Sequence, residues 1–392
     1  MKKILSIFTM IMFSVVAMAE DDEYRFNPVH TAVVSQSIVP DARAGSMGDV
    51  GAATDPDAVS QFWNPAKYPF CISRAGVALN YTPWLRQLVP DMDIAYLSGY
   101  YRIGDYSAVS ASLKYFSLGE VYMDYTDDDD PYANATTINP YEMSVDVAYS
   151  LMLSEKFSIA AGLRYIMSDM SYSDTEEKAI SGAFAADLSW YYQNYVNLGQ
   201  RECQLGLGMN LSNVGSKITY SGSNYSEFIP TNLRLGASLM IPVDEYNRFT
   251  IAADANKLLV PTRPRRMDGE KDADYQTRLE RDYYDVSSIS GMFKSFSDAP
   301  GGFKEELEEV QWSLGAEYIY NDQFSLRAGY HHEAENKGNR KYFTVGAGFR
   351  MSAFSLDAGY VIATAKSNPL DQTLRFTLTF DMDGLKDLFG RR

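Results

Sequence analysis

The feature that most constrains the fold is a repeated segment of about ten residues in which apolar and polar side chains alternate. In one such segment Ile159, Leu163 and Tyr165 alternate with Ser158 and Arg164. Because successive side chains of a β-strand point to opposite faces, each segment predicts a strand with one apolar and one polar face. Fourteen segments of this kind begin near residues 75, 92, 106, 141, 157, 179, 201, 231, 248, 310, 323, 340, 353 and 372. An even number of strands of this length is typical of a single-chain bacterial outer-membrane barrel.

A soluble β-sandwich or a lipocalin-like barrel would also alternate, so the two faces decide between these classes. The polar face carries Gly, Ser and charged residues, and only the apolar face can be buried. In a barrel of this size that face points outward into lipid. Aromatic residues near segment ends are expected to form girdles at the headgroups; they are Tyr100, Tyr101, Trp190, Tyr191, Tyr192, Tyr318, Tyr320 and Tyr330. We therefore predict an all-β, 14-stranded antiparallel transmembrane β-barrel over residues 74–382.

The two ends of the chain and the connections indicate how the barrel is oriented. Lys2 and Lys3, an apolar stretch over 4–16 and a small-x-small site ending at Ala19 predict a signal peptide over residues 1–19. A retained membrane anchor is disfavoured because the stretch is short and acidic residues follow it at once. Connections after odd-numbered strands are long and those after even-numbered strands short, which predicts extracellular loops and periplasmic turns. Residues 383–392 are then a periplasmic tail, and the protein resides in the outer membrane of a Gram-negative bacterium.

The roughly fifty residues between the signal peptide and the first strand exceed what a barrel needs. Small residues over 41–53 allow close packing inside a barrel mouth, and Asn-Pro favours a turn into the wall. We predict that residues 20–73 are a periplasmic segment and plug inside the barrel. The residues expected to form the plug are Arg43, Gly45, Met47, Gly48, Asp49, Phe62, Trp63, Asn64 and Pro65.

Charged residues recur on the polar face of the strands. The basic ones expected in the lumen are Lys114, Arg164, Arg234, Arg327, Arg350 and Arg375. The acidic ones are Asp146, Asp187, Asp254, Glu317 and Asp357. Near-balanced charge predicts opposed networks rather than an ion filter, because unpaired charges in a confined lumen are costly. The acidic run over 127–130 is expected to be a solvated loop, with calcium binding as the weaker alternative because the spacing of an EF-hand is absent.

The connection over residues 259–309, named here the long loop, is the candidate contact for a partner. It contains a basic cluster, a helical stretch over 272–284, and the aromatic residues Phe293, Phe296 and Phe303. Aromatic side chains on a solvent-facing loop are costly unless they meet a partner or fold back. Two interpretations remain open: a partner-binding loop, and a lid that packs onto its own barrel.

Composition excludes several functions. A formal net charge of −16 argues against a nucleic-acid partner. The histidines, His30 and the adjacent His331 and His332, are expected at surfaces or interfaces rather than at a metal. Cys71 and Cys203 are expected to be unpaired, although a bridge between them stays open. We expect no catalytic residue, no metal and no cofactor, and therefore no enzyme.

Three motifs ahead of the first strand carry a family resemblance. Ala-Gly-Ser-Met-Gly over 44–48, Asp-Pro-Asp-Ala over 55–58 and Phe-Trp-Asn-Pro-Ala over 62–66 resemble the plug of the FadL superfamily of outer-membrane barrels. The fuller stretches 43–50 and 60–67 resemble, more narrowly, the PorV (LptO) family of the type IX secretion system. The resemblance covers essentially the whole chain after residue 19 and implies a FadL-like barrel with an N-terminal plug.

The resemblance also implies partners. They are the SprA (Sov) translocon, bound at its lateral opening, and cargo proteins that carry a type IX C-terminal signal domain. Others are the attachment complex of PorU, PorQ and PorZ, and outer-membrane lipid and lipopolysaccharide. The role implied is a cargo shuttle without bond chemistry. The alternative, implied by the wider superfamily, is a transporter of hydrophobic small molecules.

Overall fold

The computed structural model describes residues 26–384 except 87–88, 90, 125–134, 171–179, 221–224 and 365–369. The predicted signal peptide, the acidic run over 127–130 and most of the predicted tail lie outside the described residues. Fourteen long strands form one sheet: β1 (Ala75–Pro83), β2 (Asp93–Ile103), β3 (Ser107–Ser117), β6 (Tyr141–Ser154), β7 (Phe157–Asp169), β8 (Ser181–Leu198), β9 (Arg201–Gly215), β12 (Asn232–Pro242), β13 (Asn247–Leu258), β14 (Gln311–Tyr320), β15 (Phe324–His332), β16 (Lys341–Arg350), β17 (Phe354–Ala363) and β18 (Leu374–Asp381). Two small strand pairs lie in connections: β4 (Val121–Asp124) with β5 (Ala135–Ile138), and β10 (Ile218–Thr219) with β11 (Ser226–Glu227).

The sheet closes on itself because β1 pairs with β18, from Gly76 opposite Asp381 to Tyr81 opposite Phe376. Every neighbouring pair is antiparallel, which confirms the predicted 14-stranded antiparallel barrel. All fourteen strands begin within two residues of the positions expected from the alternation. The strand boundaries are predictable because the alternation of apolar and polar residues stops where a turn residue interrupts it.

The apolar face points outward and the polar face inward. One outward row crosses six strands in register: Leu79, Leu97, Leu113, Val145, Tyr165 and Phe184. These side chains are 38% to 70% exposed. The adjacent inward row is buried throughout and consists of Ala78, Ser98, Ser112, Asp146, Arg164 and Ala185. The wall is therefore suited to lipid outside and to polar contacts inside.

Two of the aromatic residues expected in the girdles are in the lumen instead. Tyr100 lies opposite Gly76 and Ser110 in the inward register, and its ring stacks on that of Tyr68 at 4.8 Å. Tyr191 is fully buried and meets the ring of Phe70 edge-on at 5.3 Å. Both positions belong to the inward register of their strands, and the N-terminal segment supplies their aromatic partners there.

The connections differ between the two ends of the barrel. At the turn end, as it is named here, they are short, spanning 104–106, 155–156, 199–200, 243–246, 321–323 and 351–353. At the opposite end, the loop end, they reach the length of the long loop. The helices of the long loop are Asp272–Leu279, which continues as a π-helical turn Glu280–Tyr284, then Ser288–Lys294 and Phe303–Glu308. A 3₁₀ turn Glu335–Lys337 lies in a neighbouring connection. None of the helices within the described ranges is both long and apolar enough to cross a membrane.

Candidate functional site

The N-terminal segment, residues 26–73, is built from short turns held by capping side chains. Its helical pieces are Val34–Ser37, Ala42–Gly45, Ser60–Trp63 and Pro65–Phe70. Asp41 caps one of them by accepting a hydrogen bond from the amide of Ala44 at 2.8 Å. Asn64 caps another by accepting from the amide of Ala66 at 3.1 Å, with a proline at the first helical position as such turns favour. These caps leave other backbone N–H groups of the segment available to the barrel wall.

Side chains from the inner wall accept those backbone N–H groups. The amide of Ala42 donates to Thr377 Oγ1 at 2.8 Å, and the amide of Gly48 donates to Thr344 Oγ1 at 2.8 Å. Asp254 Oδ2 accepts from two successive amides, those of Gly51 and Ala52, at 2.8 and 2.9 Å. Buried backbone donors need such partners, so the wall side chains fix the path of the segment.

Close approach of the segment to the wall requires glycine at one position in particular. Gly48 has a φ of 72°, a conformation that favours glycine. A Cβ atom there would lie 2.6 Å from the backbone nitrogen of Tyr330 and 2.8 Å from the carbonyl oxygen of Leu314. The fully buried Met47 side chain precedes it, and its Cβ and backbone lie directly against Gly315 and Gly329. The segment and the wall therefore touch backbone to backbone.

An alternating chain of charges joins the segment to three strands. Arg43 donates to Glu317 at 3.0 and 3.2 Å and to Asp57 at 2.9 Å. Glu317 also accepts from Arg327 at 2.7 Å, and Arg327 donates to Asp357 at 2.6 Å. Glu317 is 1% exposed, so it balances two buried guanidinium groups. Each charge has a partner of opposite sign, which offsets its desolvation.

Two further networks involve the segment. Arg164 pairs with Asp187 at 2.8 Å and with Asp146 at 3.6 Å, and Gln61 of the segment donates to that same Asp146. On the other side of the lumen, Arg375 pairs with Asp49 at 3.0 Å and donates a hydrogen bond to the carbonyl of Gly45 at 3.0 Å. Tyr342 also donates a hydrogen bond to Asp49.

Lys114 and Arg234 contact the segment without an acidic partner among the described residues. Lys114 donates to the carbonyls of Ser35 and Ile38, and its Nζ lies 4.8 Å from the centre of the Phe62 ring. Arg234 lies over the Trp63 ring at 4.3 Å. Trp63 in turn donates its indole N–H to Asp41 Oδ1 at 2.7 Å. Cation–π contact and carbonyl dipoles hold these two cations in place of carboxylates.

The structure thus brings together the two sets of residues selected from the sequence. Asn64 completes the contacts by donating to the carbonyls of Ala52 and Trp190, both at 2.9 Å, and the carbonyl of Pro65 accepts from Ser150 at 2.8 Å. Arg350 differs from the expectation. It is the last residue of β16 and is exposed at the turn end.

Several residues of this interface were not expected from the sequence. Lys67 is buried and donates to the carbonyl of Gly51 at 2.9 Å. Tyr68 accepts from the amide of Gln61 at 2.7 Å. His331 is buried in the lumen rather than at a surface, bonded to Ser313 at 3.0 Å and stacked on Tyr342 at 4.8 Å. For His331 the available signal was an imidazole ring at a position that the alternation assigns to the polar face.

The long loop is held to the mouth of the barrel by a second charge cluster. Lys257 pairs with Glu309 at 2.6 Å and with Glu306 at 3.0 Å. Lys337, from the neighbouring connection, pairs with Glu305 at 2.6 Å and with Glu309 at 2.9 Å. Although burial alone would raise the pKa of Glu305, hydrogen bonds from Lys337 and Asn27 hold it below its ordinary value. The cluster therefore favours ionised carboxylates and a loop that lies against the barrel.

One carboxyl group of the long loop, that of Asp298, favours the protonated form, unlike the ionised carboxylates of this cluster. Burial raises the pKa of Asp298 to about 7, and the nearby charges of Glu309 and Glu306 act in the same direction. Asp298 accepts a hydrogen bond from the amide of Thr262 at 3.1 Å.

Apolar side chains also hold the long loop in place. Phe228 packs in one cluster with Val260, Leu279 and Tyr283 of the long loop.

The three phenylalanines selected from the sequence remain outside this packing. Phe293 is 68% exposed, Phe296 51% and Phe303 78%. They lie on or between the helices Ser288–Lys294 and Phe303–Glu308. The long loop therefore packs onto its barrel through charged and apolar contacts, and it also presents three aromatic rings to the surroundings.

The two cysteines lie in the N-terminal segment and in β9. Cys71 and Cys203 are both free and buried. Burial raises the pKa of the Cys71 thiol to about 12, which keeps it from acting as a thiolate. No group of three or more metal-ligating side chains occurs in the part of the chain that the structure describes.

The closed fourteen-stranded antiparallel wall, apolar outside and charged inside, defines the class: a β-barrel of the outer-membrane type. Among solved structures, the TodX deltaS2S3 mutant monoaromatic hydrocarbon channel is similar at 12% identity, with 87% of this chain and 97% of that one covered and a TM-score of 0.51. The Pseudomonas putida toluene transporter TodX is 11% identical over 92% of this chain and 98% of its own, with a TM-score of 0.49. A Pseudomonas aeruginosa FadL homologue is 12% identical over 91% and 99%, with a TM-score of 0.43. At such identities these likenesses concern the fold alone.

The family is narrower than the class. Residues 20–265 match the family described as Type IX secretion system protein PorV, and the chain belongs to that family. The match covers the N-terminal segment and the strands up to the start of the long loop. The protein is accordingly an outer-membrane component of type IX secretion. No curated protein matches the chain.

Proposed function

We propose that this protein is a non-enzymatic cargo shuttle of the type IX secretion system. It binds the SprA (Sov) translocon, receives cargo that carries a C-terminal signal domain, and delivers it to the attachment complex of PorU, PorQ and PorZ. Family membership supports this proposal. The observation that carries it is the family match over residues 20–265, and the three exposed phenylalanines of the long loop offer a surface for a protein partner.

In this proposal residues 20–73 act as a plug. A hydrophobic solute crossing the lumen would have to displace Arg43 from Glu317 and Arg375 from Asp49. Breaking a buried pair by removing one partner costs about 3–5 kcal/mol, and an apolar solute offers no replacement for the lost charge. A lumen filled in this way leaves the outer wall and the loops as the surfaces that a protein partner can reach.

The long loop is the proposed contact with the translocon or with cargo. Its three phenylalanines are exposed while the ion pairs hold the loop in place, so a partner can bind them while the loop stays closed. Aromatic anchors of this kind dominate the energetics of many protein interfaces. We place the loop end outside the cell, because long connections of outer-membrane barrels are usually extracellular.

The test is to purify a tagged triple variant, with Phe293, Phe296 and Phe303 each replaced by alanine, in mild detergent from cells that secrete cargo. We expect at least about a tenfold loss in recovered translocon or cargo, since about 1.4 kcal/mol already corresponds to tenfold and a buried aromatic anchor contributes more. The matched control replaces Tyr106 and Tyr246, which are 65% and 58% exposed at the turn end. Equal recovery from both variants would exclude the long loop as the contact.

A second function, transport of hydrophobic small molecules, is supported by the likeness to the monoaromatic hydrocarbon channel mutant. A deletion strain separates the two. If type IX cargo is still secreted and attached, while uptake of a hydrocarbon such as toluene falls, the transporter is the correct assignment. Loss of cargo attachment with unchanged uptake supports the shuttle.

A further inference from the structure

A polar cavity of about 70 Å³ lies in the lumen toward the loop end, between the N-terminal segment and the wall. Its lining includes Arg234, Asn232 and Asn256 from β12 and β13, together with Phe62 of the segment and Arg340 from a connection. A cavity needs roughly 10–15 Å³ of such space to hold a single water, so there is room for a few waters or one small polyatomic ion. The lining is too polar and the space too small for a hydrocarbon chain.

Arg234 is the unusual group of this cavity. It is only 9% exposed, and its Nε donates to Asn256 Oδ1 at 2.6 Å. One face of the guanidinium is covered by the rings of Trp63 at 4.3 Å and Phe62 at 5.5 Å. Its two terminal nitrogens have no hydrogen-bond acceptor, and it has no ion-pair partner, among the residues that the structure describes. A guanidinium fork that is largely withdrawn from bulk water and lines a cavity without an acceptor favours a ligand that supplies one.

The other charged groups that line the cavity are already committed. Arg164 pairs with Asp187, and Arg340 pairs with Glu333 at 2.7 Å. Asp49, the acidic lining residue, is held by Arg375 and Tyr342. The charge of Arg234 is therefore the one in this lining that lacks an ion-pair partner.

We propose that Arg234 and the cavity form a binding site for one small oxyanion or carboxylate, of the size of formate or phosphate. A guanidinium fork binds two oxygens of a planar carboxylate or of a phosphate at once, and its two terminal nitrogens supply that fork. The amides of Asn232 and Asn256 are placed in the same lining to donate further hydrogen bonds. The bound anion holds Arg234 against Trp63 and so fastens the segment to β12. This inference does not depend on the proposed partners.

The test is thermal unfolding of the purified full-length protein in nonionic detergent, with formate or phosphate titrated at constant ionic strength against gluconate, which is too large for the cavity. We expect a saturable rise in Tm of about 2–5 °C, because a ligand that binds only the folded state stabilises it by mass action. Replacing Arg234 by methionine keeps the apolar stem over Trp63 and removes the fork, so the rise disappears. Arg234→Lys, which keeps the charge but not the fork, retains a smaller rise.

The matched control is Arg248→Met, which removes a guanidinium from an exposed pair with Asp322 at the turn end and leaves the rise unchanged. A wild-type protein whose Tm does not respond to either anion overturns the proposal, whatever the variants do. An equal rise in Arg234→Met and the wild type also overturns it, because the effect would then be a general effect of the salt. Should Arg234→Met fail to fold, saturable binding of ¹³C-formate to the wild type and its weakening in Arg234→Lys decide the same question.

Discussion

Replacing Glu317 by glutamine removes one negative charge from the centre of the network that joins the N-terminal segment to the wall. The side chain keeps its size and can still accept hydrogen bonds. Arg43 and Arg327, which donate to Glu317 at 3.0 and 2.7 Å, then share one carboxylate fewer. Asp57 and Asp357 remain as their outer partners.

The substitution destabilises the docked state, in which the N-terminal segment lies inside the lumen. When the segment leaves the lumen, water reaches Arg327 and Glu317 and the segment carries Arg43 into solvent. Loss of one partner from a buried ion pair typically costs about 3–5 kcal/mol. At about 1.4 kcal/mol for each factor of ten, the population of the undocked segment should rise by about two to four orders of magnitude. Asp322→Asn, which breaks an exposed pair with Arg248, should cost less than about 1 kcal/mol.

Hydrogen exchange of the backbone amides of Ala42, Gly48, Gly51 and Ala52 measures this opening directly, since each donates to a wall side chain. We expect their protection to fall by the same two to four orders of magnitude in Glu317→Gln and to stay unchanged in Asp322→Asn. Adding Arg43→Met to Glu317→Gln should cost less than the sum of the single changes, because both remove the same interaction. Unchanged protection in Glu317→Gln, or fully additive effects, would refute the view that this pair fastens the segment.

Two further predictions concern backbone fit and pH. Gly48→Ala should weaken docking of the segment by about 1–3 kcal/mol more than Gly104→Ala, measured by the same hydrogen exchange. Both glycines have positive φ, but only at Gly48 would a Cβ meet other atoms, since nothing lies within 4 Å of a Cβ at Gly104. Equal losses in the two variants would show that the close approach at Gly48 does not matter. The pKa of Asp298, raised by burial to about 7, means that the closed long loop holds this proton more tightly than an open loop does. The contribution of Asp298 to closure is therefore fully present below about pH 4 and is lost as pH rises through about 7. Exchange over residues 288–309, corrected for intrinsic rates, should increase between pH 6 and 8 in the wild type and stay flat in Asp298→Asn; a flat wild-type profile would contradict the assignment.

The wall of the barrel was predictable because its pattern is local. Each strand carries its own alternation, so Leu97 and Leu113 could be assigned to the outer face without knowing their neighbours. The contacts of the N-terminal segment were not predictable in the same way. Thr344 and Thr377 look like ordinary polar-face residues, and only the path of the segment shows that they accept amides from Gly48 and Ala42.

Charge balance in the lumen could be expected from composition, but the pairing could not. Arg164 and Asp146 lie directly opposite each other on neighbouring strands and are accessible to register arguments. Arg43 and Glu317 are 274 residues apart in sequence, and no periodicity relates a turn in the N-terminal segment to β14. For Arg350 and Tyr191 the predicted location was wrong. Arg350 was assigned to the correct face of its strand, but its position at the strand end leaves it exposed rather than in the lumen. Tyr191 was expected in a girdle, but it lies inside the barrel against the ring of Phe70.

The inner wall of this barrel is occupied by contacts with its own N-terminal segment. An aqueous pore needs inward charges that are free to contact a solute. Here Glu317, Arg327 and Arg375 form ion pairs within the chain itself. An apolar solute that displaced the segment could not replace it as a partner, so these groups would be left unpaired. On the outside of the barrel, three phenylalanines of the long loop stay exposed although neighbouring side chains of that loop are buried. Loosening the segment by Glu317→Gln should therefore leave recovery of a loop-bound partner unchanged, while the triple phenylalanine variant should abolish it without altering exchange in the segment. Joint loss of both properties in either variant would mean that segment and loop act as one unit.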